Sequence, residues 1–85
     1  MSKFQIMTIL VNHRKSEAER LQQLLTEFGC NIKMRLGLHE TKDVCAEDGL
    51  IILQMDGDEK DIHQLKDGLE HIDGVKVQLI TMTSD

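Results

Sequence analysis

Two segments of helical periodicity, each flanked by alternating runs, decide most of what this chain can become. Ala18, Leu21, Leu24, Leu25 and Phe28 recur on one stripe, the spacing that gives a helix a single apolar face. Ser16 and Glu19 stand ahead of it as a capping box, in which hydroxyl and carboxylate satisfy the first orphan backbone donors. Gly29 follows where a left-handed residue closes a helix. The second stripe is Ile62, Leu65, Leu69 and Ile72, with Asp58 at its N-cap and Asp73-Gly74 at its end. Gly68 lies inside this second helix and costs about 1 kcal/mol of helical propensity relative to Ala.

The flanking runs read as strands. Phe4, Ile6, Thr8 and Leu10 alternate with Gln5, Met7, Ile9 and Val11, apolar on both faces as in a central strand. Ile32, Met34, Leu36 and Leu38 point one way while Lys33, Arg35, Gly37 and His39 point the other. Residues Leu50 to Met55 are almost continuously apolar, which predicts a buried central strand. Val75, Val77, Leu79 and Thr81 oppose Lys76, Gln78 and Ile80 in a last strand. The polar stretch from Glu40 to Gly49, broken only by Cys45-Ala46, reads as a long hairpin loop.

Strand, helix, strand, strand, helix, strand is the order of an α+β, ferredoxin-like βαββαβ fold, a four-stranded antiparallel sheet with two helices on one face. A length of 85 residues supports one such domain, residues 1–85. Strands one and three should be central. The uncovered face is expected to carry Met7, Ile9, Leu50 and Ile52 at its centre and Lys33, Arg35, Lys76 and Gln78 at its rim. An apolar centre on so small a domain predicts closure against further copies, as a dimer or tetramer.

Composition narrows the function classes. Aromatics make up 2% of the chain, with no Trp or Tyr, and Pro is absent, which removes base-stacking platforms and Pro-rich recognition segments. A net charge of −5 argues against a nucleic-acid partner. No stretch approaches the roughly 18 apolar residues of a membrane span, so no membrane partner is expected. Met1 leads straight into the first strand without a signal-peptide pattern. Together with two cysteines, Cys30 and Cys45, too few for a disulfide scaffold, this makes a cytoplasmic protein with free thiols the expectation.

Catalytic signatures are missing: there is no G-x-S-x-G, Walker or Rossmann glycine pattern. Asp56, Asp58, Glu59 and Asp61 sit at a turn and a helix start, where capping and the helix dipole account for them. The chain therefore reads as non-enzymatic, without catalytic residues and without a resident cofactor. Two features suit binding. Asn12, His13, Arg14, Lys15 and Ser16 set cationic side chains at the start of the first helix, where free backbone donors favour a small anionic effector. Lys33 and Arg35 on the open sheet face offer a second basic pair, which edge-strand protection against aggregation explains as well; Arg35 and Gly37 join the proposed ligand-binding residues. His39 and Cys45, separated by five residues, form the best candidate pair for nickel or zinc; scattered surface histidines and a loop thiol explain the same residues without metal.

The first strand running into Val11-Asn12-His13-Arg14, the helix ending Glu27-Phe28-Gly29, and Arg35-Leu36-Gly37-Leu38 resemble the small proteins grouped as iron-only hydrogenase system regulators. Ile51 to Met55 and Gly74-Val75-Lys76-Val77 match in pattern too. That resemblance implies a stand-alone ACT-like, ferredoxin-like regulatory protein. ACT-like domains bind small effectors at the first strand–helix loop beside a neighbouring subunit, which by position implies Asn12, His13, Arg14, Lys15 and Ser16. The Asp and Gly usual in that loop are absent here, and the loop Glu40 to Gly49 is longer than the family's. The His39-x5-Cys45 spacing is similar to part of the nickel site in the C-terminal domain of nickel-responsive repressors, although Arg35 and Gly37 stand where strand histidines are expected. This leaves a metal sensor, or a purely structural interaction subunit, as the alternatives to a ligand-sensing regulator.

Overall fold

A computed structural model of the chain describes residues 2–12, 18–38 and 48–84. Its elements run β1 (Ser2–Asn12), α1 (Ala18–Glu27), β2 (Ile32–Leu38), β3 (Asp48–Met55), α2 (Glu59–Glu70) and β4 (Val75–Ser84). The strands order as β2-β3-β1-β4, and every neighbouring pair is antiparallel. This is the ferredoxin-like arrangement, with β1 and β3 central as the apolar runs require.

One face of the sheet carries both helices. Leu21, Leu24 and Leu25 of α1 and Ile62, Leu65 and Leu69 of α2 are buried, together with Leu53, Val75 and Val77 from the strands. Phe28 is only partly buried against this cluster. The helix stripes therefore face the core as their periodicity implied. Asp58 caps α2 by accepting from the Lys60 backbone N–H at 3.1 Å, and Gly74 closes the following turn at φ +83°. At Gly68 an added Cβ would stand 3.3 Å from both Leu24 methyls, so the glycine serves the close approach of α1 and α2. The capping residue proposed for α1, Ser16, lies outside the described residues.

Three expectations are corrected. Met7 and Ile9 do not belong to the uncovered face; both are 0% exposed, beneath the helices. Because β1 is apolar on both sides, alternation alone cannot say which side the helices cover. The second correction concerns β2. Its pairing shifts register between Ile32 and Met34, and one extra residue inverts the phase of a two-residue period. Ile32 consequently packs on the core, whereas Met34 and Leu36 are exposed on the opposite face and Arg35 turns toward α1. Lys33 is the residue at the shift, so neither basic residue is placed on the open face in the alternation expected for it. Third, Gly29 is not left-handed: α1 passes into a short 3-10 turn, Gly29–Asn31, and positive φ among the described residues is confined to Gly57 and Gly74.

Candidate functional site

The face away from the helices is built by register. Leu36, Ile52, Thr8 and Gln78 stand side by side across the four strands. The next row holds Met34, Gln54, Ile6 and Ile80. Leu10 lies between Leu50 and Lys76, and Phe4 lies beside Met82. Leu50, Ile52, Lys76 and Gln78 are thus on this face, as expected, while Phe4, Ile6 and Leu10 replace Met7 and Ile9. Phe4, Leu10, Met34, Leu36, Ile80 and Met82 remain between 43% and 61% exposed. Scattered exposed apolar groups are ordinary on a protein surface, but six on one contiguous sheet face are a patch.

Of the residues proposed for ligand binding, Asn12, Arg35 and Gly37 are among those described. Asn12 ends β1, half-buried, and its backbone N–H donates to the Gly74 carbonyl at 2.8 Å. His13, Arg14, Lys15 and Ser16 lie outside the described residues. Arg35 extends from the edge strand toward the helix side, where its Nη2 donates to Gln22 Oε1 at 3.3 Å. Gly37 pairs with Ile51, which pairs with Ile9, so it lies in a row three residues short of Asn12. A Cβ at Gly37 would meet nothing within 4 Å, which leaves room on that side of β2.

His39 and Cys45 also fall outside the described residues, and among the described ones no group of three His, Cys, Asp or Glu side chains could hold a metal. His63 and His71 are exposed on and after α2, and the His71 ring packs its Nδ1 against the Asp67 carbonyl at 2.6 Å. Cys30 is a free, exposed thiol. No described helix is long and apolar enough to cross a membrane.

A second feature lies at the opposite end of β1. Lys3, Gln5, Met55, Asp56, Gly57 and Glu59 line a cavity of 220 Å³ beside the start of α2. The Lys3 ammonium bonds the Glu59 carboxylate, and this hydrogen bond and charge hold Glu59 below its usual pKa. Gln5, only 7% exposed, directs its amide nitrogen to Glu59 Oε1 at 3.5 Å and Thr81 Oγ1 at 3.4 Å. The sequence did carry a signal for this place: Gln5 is the polar member of the otherwise apolar row Met7, Ile9, Val11. Nothing local linked it to Glu59.

With this architecture established, the chain can be set beside known proteins. It matches the TM1266-like family (Iron-only hydrogenase system regulator, putative) over residues 3–79. The chain belongs to this family. The solved structure of the uncharacterized protein TM1266 from Thermotoga maritima is similar at a TM-score of 0.82 and 28% identity, covering 96% of this chain and 100% of that one. More distant are a dimeric ferredoxin-like protein of unknown function from Thermobifida fusca (TM-score 0.46, 10% identity, 93% and 92% covered) and CPII of Thiomonas intermedia K12, bound to ADP, AMP and acetate (0.48, 21%, 96% and 90%). These last two are too remote to bear on function. A comparison with curated proteins gives no significant match.

Proposed function

We propose that this member of the TM1266-like family is a non-enzymatic regulatory module that works as a homo-oligomer and responds to a small ligand. The observation that carries the reading is the uncovered sheet face. A helix-free face with Leu36, Ile52, Ile6 and Ile80 across its middle is suited to stacking on an apolar surface. Four strands spaced by about 4.8 Å and rows spanning some seven residues at about 3.3 Å each give a footprint of roughly 440 Å² per copy. Two such footprints approach the roughly 1,000 Å² that a specific interface requires. A second copy presents the same face and, at its rim, Lys76 and Gln78, so an isologous pair leaves these two at the edge, with Thr8 and Gln54 the polar residues within the stacked rows.

The ligand reading rests on sequence: Asn12, His13, Arg14, Lys15 and Ser16, with Arg35 and Gly37 of the edge strand β2, are the proposed residues for a small anionic effector. The test is a thermal-shift series on the purified chain with phosphate, acetate, amino acids and divalent metals, run beside a mass measurement in solution. Stabilisation by anions that is lost in Arg14→Ala supports the effector site. Stabilisation by nickel or zinc alone, lost in His39→Ala, replaces it with a metal sensor. A monomeric mass at every concentration refutes the oligomer.

A further inference from the structure

The two edges of the sheet are built differently. β2, at one edge, is seven residues long, shifts register between Ile32 and Met34, and carries Lys33 and Arg35. Short length, a bulge and charge are the devices by which an edge strand avoids pairing with another chain. β4, at the other edge, lacks them. It runs for ten residues from Val75 to Ser84 without Pro or Gly, and its one charged residue, Lys76, stands near its start. Its register with β1 is unbroken from Ser2↔Ser84 to Val11↔Val75. Among the described residues β4 has a strand neighbour on one side only, so every second residue turns its N–H and C=O outward.

A second observation concerns the end of the sheet. The ladder of β1 with β3 stops at Gln5↔Met55, whereas its ladder with β4 continues to Ser2↔Ser84. From Ser2 to Phe4 the described sheet is thus only two strands wide, and a two-stranded ribbon is marginal in water without a third strand. Leu79, midway along β4, packs on the helix-side core but is only partly buried there.

We infer that β4 pairs antiparallel with β4 of a second copy about a two-fold axis, joining two four-stranded sheets into one. The pairing deepens the homo-oligomer of the preceding section and rests on it, because a single strand-to-strand seam is weak and the stacked open faces supply the remaining stability. The occupant is a second copy because the strand is complementary to itself. Keeping both open faces on one side requires that residues meeting across the seam belong to the same face of their strands. Centred on Leu79, the pairing sets Val75 opposite Thr83, Lys76 opposite Met82, Val77 opposite Thr81 and Gln78 opposite Ile80. No like charges meet, and the two Leu79 side chains complete each other's burial. About eight backbone hydrogen bonds close the seam, and the two-stranded end gains its third strand. Two such joined sheets stacked face to face form a closed assembly of four copies with no β4 edge left open.

The experiment uses the uniformly ¹⁵N-labelled chain, its mass read by sedimentation and its amide exchange followed at high and low chain concentration. Four copies are expected, with every β4 amide from Lys76 to Met82 protected at high concentration and alternate ones exchanging freely on dilution. Thr81 is exposed and lies on the helix side, beside the Gln5 amide, away from the stacking face. Thr81→Lys gives the β4 edge the charge it lacks and should leave two copies, weakening the four-copy state by about tenfold or more. A parent of two copies whose alternate β4 amides exchange freely at every concentration overturns the inference and leaves the stacking in place. Two copies with those amides protected uphold the seam and refute the stacking. A Thr81→Lys chain that still holds four copies overturns the inference, and a parent of one copy refutes both.

Discussion

Replacing Ile80 by Glu tests the stacking face where it is most sensitive. Ile80 is 44% exposed and pairs with Ile6 in the row that also holds Met34. It contributes little to the helix-side core, so a monomer should tolerate the substitution. In a two-fold dimer the change is made twice. Covering the exposed half of an isoleucine is worth about 1 kcal/mol, half of the 1.5–3 kcal/mol for complete burial. A carboxylate in its place must also be partly desolvated, which adds about 1–2 kcal/mol per copy even where it leans toward the rim. Together the two copies lose about 4–6 kcal/mol, a thousandfold or greater weakening of self-association. Sedimentation equilibrium over a wide concentration range reads this directly. The parent should show twice the 9.7 kDa mass or a multiple of it, and Ile80→Glu should be monomeric with an unchanged far-UV spectrum. Self-association at parental strength in the variant refutes the stacking geometry.

Two further substitutions probe the turn and the cleft. Gly57→Ala introduces a Cβ at φ +98°, 2.8 Å from Asn31 Nδ2. The left-handed backbone costs about 1–2 kcal/mol for an L-residue, and displacing Asn31 sacrifices its bond to the Asp56 carbonyl at 3.2 Å, about 1 kcal/mol more. A Tm lowered by roughly 10–20 °C is expected; an unchanged melting curve contradicts the account of the turn. Lys3→Met removes the partner that lowers the Glu59 pKa. A carboxylate with a depressed folded-state pKa stabilises the fold above its unfolded pKa, and that contribution is lost as pH falls through the folded one. The variant should therefore melt slightly below the parent at neutral pH and low salt and coincide with it in strong acid or high salt. A gap that persists in acid disproves the linkage.

How legible the site was follows from which distances are local. The helical stripes, the Asp58 cap and the alternation of β4 depend on neighbours within four residues, and those features were readable one segment at a time. The candidate cleft joins Lys3 to Glu59 and Gln5 to Thr81, pairs separated by 56 and 76 positions, so its assembly left only one local trace, a glutamine in an apolar row. Arg35 was legible as a basic residue but not as one facing Gln22, since a single shift at Lys33 redirects everything after it in β2.

By itself, then, the amino-acid order determined six elements, their types, the ferredoxin-like connection between them, and the presence of more apolar surface than two helices can cover. Which surface stays uncovered was a tertiary decision. β1 is apolar on both sides, and only the packing of α1 and α2 over Met7, Ile9 and Val11 assigns Phe4, Ile6 and Leu10 to the open face. The physical reason is that a two-residue period specifies alternation without its sign. The sign comes from contacts that no single segment contains.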